Sequence, residues 1–203
     1  NKIINKSFDT EKFGGRKQVR LGSLNYQNLI NENIYLRNLG NFLNNEETLR
    51  FFLQEINSLS TNNKYLFKLD KNISYEEKPN YSFFNQNSKL KDRIFNKIKK
   101  IFNFDKNKIS LQIDFSLSTK GYEREPHTDK PTRILVMLIY FNNLKKEDGG
   151  SLEIYKYKSK KKKYYSNPSL SEIEKKHSFV PKAKSLIIFQ SNPESVHSVS
   201  KMK

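Results

Sequence analysis

The apolar residues of this chain change their period near residue 109, and that change limits the folds open to it. Before that point they recur at helical spacing. Leu49, Phe52, Leu53 and Ile56 form one stripe, which predicts a helix over 46–59. Asn44 or Asn45 offers its N-cap, and Glu46 and Glu47 suit the positive end of the dipole. A second helix is predicted over 88–102, capped by Ser88, with Leu90, Ile94, Ile98 and Ile101 on one face. From 21 to 39 apolar residues recur without a firm period, and 60–87 carries short aromatic pieces between polar turns. Residues 1 to about 20 read as an arm or a leading strand. After 109 the pattern turns to strands: 109–118, a buried strand over 133–141, 151–157, 178–180 and 185–190. Gly149-Gly150 marks a turn or bulge, and 158–176 reads as a basic, Tyr-bearing loop or lid. Helices followed by antiparallel strands, with no obvious linker, predict an α+β fold: a jelly-roll, double-stranded β-helix barrel buttressed by N-terminal helices.

Composition narrows the class further. With 203 residues the chain has the length for one domain with a full core or for two small ones; it reads as one domain, 1–108 mainly helical support and 109–203 the barrel. The hydrophobic fraction is only 35%, so the 15 Phe and 11 Tyr must supply much of the buried area. The absence of Cys excludes a disulfide scaffold and a thiolate metal site, and suits a reducing cytoplasm. No apolar run approaches membrane-spanning length and no signal-peptide pattern opens the chain, so no membrane role is expected. The first residue is Asn, which points to a trimmed start. The formal net charge of +17 invites a nucleic-acid reading. Yet the basic residues are nearly all Lys, whereas Arg is the residue favoured for bidentate contacts to phosphate and bases. A solvated Lys-rich surface is the simpler account.

Three histidines occur, and two of them stand in suggestive places. His127 and Asp129 are two residues apart, and on a strand such residues share a face. His197 on a second strand could complete a three-point face. Two His and one carboxylate with open positions opposite is the ligand set of non-heme Fe(II) oxygenases. Taken singly, His127 reads equally as a surface histidine near a Pro turn, and His197 as an exposed residue after Asn192-Pro193. His177, inside the basic segment, reads as structural or exposed.

The order of short words in the second half resembles the iron- and 2-oxoglutarate-dependent oxygenase family, in its prolyl 4-hydroxylase-like branch. The words are Gly121-Tyr122, His127-Thr128-Asp129, Leu138-Ile139-Tyr140-Phe141-Asn142, Asp148-Gly149-Gly150-Ser151-Leu152-Glu153-Ile154-Tyr155, Val180-Pro181, Leu186-Ile187-Ile188-Phe189-Gln190-Ser191 and Val196-His197-Ser198-Val199. The resemblance implies that His127, Asp129 and His197 bind Fe(II), with 2-oxoglutarate as co-substrate and ascorbate as an optional accessory. It implies hydroxylation with succinate and carbon dioxide as co-products. Tyr140 matches the position of a tyrosine hydroxyl on the oxoacid carboxylate; it also reads as a core aromatic. Phe115 stands roughly where relatives often use a further tyrosine. The family's basic anchor for the distal oxoacid carboxylate falls on the strand after the second His, beyond Lys203. Arg133 is the candidate within the chain.

The substrate stays open at this level: a peptidyl proline, a small molecule, or a nucleic acid. The segment 158–176, with Tyr164 and Tyr165, is expected near the mouth. Two rivals remain. One is a basic module that binds single-stranded nucleic acid through Lys and aromatic side chains. The other is a jelly-roll metalloprotein that does not turn over 2-oxoglutarate.

Overall fold

The computed structural model describes residues 15–20, 23–59, 74–75, 108–130, 133–159 and 166–203. The expected helix over 88–102 and most of the aromatic pieces of 60–87 lie outside the described residues, as do Tyr164 and Tyr165. Two compact units are present. One holds helices α1 (Leu24–Glu32) and α2 (Ile34–Leu43) and the short parallel pair β2 (Ser74–Tyr75) and β3 (Lys108–Ile109). The other holds strands β5 to β10. Strands β1 (Arg16–Arg20) and β4 (Asp114–Ser118), which pair with each other, and helix α3 (Glu46–Leu59) contribute to both.

Within the segment 21–39, read without a firm period, α1 and α2 meet at Asn33, which ends one helix and begins the other. Asn33 sits in extended backbone (φ −129°, ψ 100°) and closes α1, its N–H bonding the Leu29 carbonyl. Its side-chain oxygen accepts from Tyr35 N–H and Leu36 N–H, so the same residue caps α2. The apolar register restarts there, and no single window sees one stripe. Tyr26 on α1 stacks on Phe115 at 5.7 Å between ring centroids. Its hydroxyl lies 3.0 Å from where a Cβ of Gly40 would stand, so a larger residue there would require the tyrosine to shift by a few tenths of an ångström. Helix α3 forms as expected. Asn45 accepts from Glu47 N–H and Thr48 N–H, and Leu49 and Leu53 are buried.

The second unit contains a four-stranded antiparallel sheet in the order β5 (Arg124–His127), β10 (Val196–Val199), β7 (Leu152–Tyr157), β8 (Ile173–Phe179). Strands β6 (Leu135–Tyr140) and β9 (Ser185–Gln190) form a second antiparallel sheet. Mostly antiparallel strands of this kind are consistent with a jelly roll. On one face of the larger sheet Tyr155, Ile173 and Val196 form a buried cluster, with Tyr157 packed against it. Each fully buried aliphatic side chain of this size contributes about 1.5–3 kcal/mol.

Four strand expectations need correction. The run 109–118 is two strands, β3 and β4, separated by four residues outside any strand. Strand β6 is half-buried along its whole length rather than buried. Strand β8 begins at Ile173, inside the segment expected to be a loop. It was hidden because all its residues but Ile173 are exposed: as the edge of the sheet it carries charge, with Lys175 paired to Glu153 at 2.7 Å. Asp129 lies just past β5, not on a strand with His127.

Gly149 and Gly150 both adopt positive φ (74° and 72°). The turn lies against the segment after β10, where a Cβ on Gly149 would stand 1.9 Å from the Lys201 carbonyl oxygen. That segment is stitched on both sides: Gly150 N–H bonds Ser200 O, and Met202 exchanges two backbone bonds with Gly121 and Tyr122.

Candidate metal centre

Pro126 decides which side chain of β5 faces β10. Val199 pairs with Arg124 and His197 with His127, so β5 spends one more residue than β10 between the two pairs. Pro126 has no N–H for the ladder, and the irregularity falls beside it. An unbroken register would set Pro126 opposite His197; the extra residue turns His127 there instead. The two imidazoles share one face, their centroids 4.3 Å apart.

Asp129 joins them from the loop after β5. One atom each of His127, Asp129 and His197 lies within 4.8 Å of the others, so the three can hold a metal ion. The structure thus brings together all three ligands expected from the sequence. His197 and Asp129 are buried, and Phe189 of β9 packs on the His197 ring at 4.8 Å.

The ring orientations are set from behind. His127 Nδ1 lies 2.8 Å from the Glu125 carbonyl, and His197 Nδ1 lies 3.0 Å from the Ser195 carbonyl. A carbonyl oxygen only accepts, so each Nδ1 carries the proton and each neutral ring keeps its Nε2 lone pair. Ser195 is held by an Asn192 turn, whose side-chain oxygen accepts from Glu194 N–H and Ser195 N–H. Burial, helped by the nearby His197, lowers the pKa of His127 to about 4, and burial lowers that of His197. Neutral imidazole is the form that ligates metal.

The carboxylate is divided. Asp129 Oδ1 accepts from Arg133 Nη1 at 2.7 Å. Oδ2 is buried, has no hydrogen-bond partner, and lies 3.9 Å from His197 Nε2. A buried carboxylate oxygen without a partner is costly unless a cation occupies that space. The donor set and this oxygen together fit a divalent ion such as Fe(II).

The remaining sequence candidates are placed differently. Tyr140 pairs with Ser185, and Val136 with Phe189, so Tyr140 shares the Phe189 face of its sheet. It stands four residues along β6 from Val136, roughly 14 Å at strand rise. Burial pushes its hydroxyl pKa up to about 12, which keeps it a neutral donor. Phe115 stacks on Tyr26. His177 is exposed on β8, as expected. Sequence reasoning missed Thr128 as more than a spacer. It is 1% exposed and bonded to Ser166. No sequence signal joins residues 38 apart.

Residues 113–203, a little under half of the chain, match the family model described as the 2OG-Fe(II) oxygenase superfamily. The match supports that superfamily and an oxidoreductase of dioxygenase type, and the family implies Fe(II) and 2-oxoglutarate. The His127–Asp129–His197 cluster fits iron. No curated protein and no solved structure matches the chain. Among the described residues, no helix is long and apolar enough to cross a membrane.

Proposed function

We propose that this chain is an Fe(II)- and 2-oxoglutarate-dependent dioxygenase of the prolyl 4-hydroxylase-like branch, a single oxygenase domain over 1–203. It hydroxylates a peptidyl proline or a small molecule and releases succinate and carbon dioxide. The observation that carries this reading is the unpartnered, buried Asp129 Oδ2 beside two neutral imidazoles, within the segment that matches the family.

His127 and His197 each offer Nε2, and Asp129 offers Oδ2 as a one-oxygen ligand because Arg133 holds Oδ1. Three protein ligands would leave positions on the ion open for co-substrates. With Fe(II) bound, dioxygen would be the oxidant: one oxygen atom would enter the substrate and the other the succinate formed as 2-oxoglutarate loses carbon dioxide. Phe189 shields the His197 side of the centre from water. Arg133 is half-exposed, so the rest of its fork can receive an oxoacid carboxylate, and Tyr140, on the Phe189 face of its own sheet, is the second candidate donor.

The test is turnover of 2-oxoglutarate to succinate by the purified chain with Fe(II). His127→Ala and Asp129→Ala abolish it, and N-oxalylglycine, an oxoacid mimic, inhibits it. Turnover indifferent to both substitutions removes the assignment. Tight, salt-sensitive binding of single-stranded nucleic acid with no turnover favours the basic binding module instead.

A further inference from the structure

Ser166, which precedes β8, bonds to Thr128 inside the candidate metal cluster. Thr128 N–H donates to the Ser166 carbonyl at 2.9 Å, and Ser166 N–H donates to Thr128 Oγ1 at 3.1 Å. The Ser166 hydroxyl lies 3.4 Å from Thr128 Oγ1 and 3.1 Å from the Tyr157 hydroxyl. Tyr157 in turn packs on the buried Tyr155, Ile173 and Val196. A continuous chain of contacts thus runs from the core of the four-stranded sheet through Ser166 to Thr128. Thr128 stands between two ligands and is almost wholly buried.

Burial alone does not explain the arrangement. A buried N–H needs an acceptor, but any carbonyl would serve. The reciprocal pair does more, because it holds Thr128 at two points, its N–H and its side-chain hydroxyl. The ladder with β10 ends at His127 and does not reach Asp129. Beyond that point the peptide between His127 and Thr128 and the Thr128 side chain are held by Ser166, while Arg133 holds one Asp129 carboxylate oxygen. Groups that orient ligands in this way typically change metal affinity by about 10–100-fold when removed.

We propose that Thr128 and Ser166 are positioning residues: the Thr128–Ser166 pair completes the metal centre by holding the turn that carries His127 and Asp129. This inference rests on the metal-binding reading above. The test uses Mn(II) as the probe, titrated into the full chain by electron paramagnetic resonance, alongside melting of the metal-free protein. Thr128→Val keeps the shape but removes the acceptor for Ser166 N–H. Its Mn(II) affinity is expected to fall about tenfold or more, and Thr128→Ser, which restores the oxygen, is expected to recover most of it. A Thr128→Val protein that melts lower yet binds Mn(II) within twofold of the unaltered chain overturns the proposal, since a merely structural role moves only the melting point. If Thr128→Val does not fold, Tyr157→Phe decides, because it removes only the outermost hydroxyl. A loss of about threefold supports the relay, and unchanged affinity overturns it. Failure of the unaltered chain to bind Mn(II) sinks the metal reading itself and this inference with it.

Discussion

Arg133 Nη1 sits 2.7 Å from Asp129 Oδ1, across one turn of chain, while the sister oxygen of the same carboxylate has no hydrogen-bond partner. The pair is unequal: the Asp129 side chain is 9% exposed and the Arg133 side chain 49%. Its worth as a surface ion pair is accordingly small. In the proposed metal centre its value would lie in leaving Asp129 one oxygen to offer a metal ion.

Arg133→Met therefore weakens Mn(II) binding by about 10-fold or more, and Arg133→Lys, which keeps a charge but loses the planar fork, weakens it less. Metal titration by electron paramagnetic resonance checks both. If Arg133 served only the oxoacid, the KM for 2-oxoglutarate would rise with metal affinity unchanged.

The half-buried His127 and the buried His197 make metal-free stability depend on pH. His127 titrates near 4 in the folded protein and near 6.5 when unfolded, and burial shifts His197 in the same direction. Between those values the unfolded chain binds a proton that the folded chain refuses, so stability falls as pH drops through the window. The melting temperature of the metal-free protein is expected to decline from about pH 7 to about pH 4.5. His127→Gln flattens the decline. A melting temperature indifferent to pH over that span contradicts the burial of these rings.

Behind the metal face, Tyr155 donates to Glu153 at 2.6 Å and lies 3.2 Å from the Ser198 hydroxyl. Glu153 also receives Lys175 at 2.7 Å and Ser198 at 3.2 Å. Tyr155→Phe leaves the packing and removes one end of this network, which costs about 1–3 kcal/mol, as a partner of a charged group is lost. The urea midpoint reads this directly. Metal affinity is expected to stay unchanged, because the network lies on the face opposite His197.

The two adjacent glycines differ in what surrounds them. Gly149→Ala drives a Cβ into the Lys201 carbonyl, a backbone atom, whereas Gly150→Ala meets the side chains of Leu144 and Met202 at 3.0 Å and beyond. Both substitutions carry strain of about 1–3 kcal/mol from positive φ. Gly149→Ala adds displacement of the 200–203 segment and is expected to lower the melting temperature further. Equal losses would show that the backbone contact is not limiting.

What the sequence made readable was whatever repeats or sits within a few residues. Helix α3 carries its cap, acidic first turn and stripe in one stretch, and β9 is a plain apolar run. The helices either side of Asn33 were obscured because one residue ends the first and begins the second. The edge strand β8 hides in a charged segment because its exposed positions need no apolar side chains. The three ligands were legible as residue types in family order, but the reason His127 faces His197 was not. It depends on a ladder irregularity at Pro126. The grip of Ser166 on Thr128 and the split carboxylate of Asp129 arise only when distant segments meet.

The pairing of His197 with His127 across two neighbouring strands has a wider consequence. Peptide hydrogen bonding sets the gap between such opposed positions at about 4.5–5.5 Å, whatever the side chains are. The spacing of two ligands is thus a property of the sheet, like the pitch of a screw thread. Cation preference in this scaffold can therefore be re-tuned by exchanging the chemical identity of the ligands while the ruler beneath them stays unaltered.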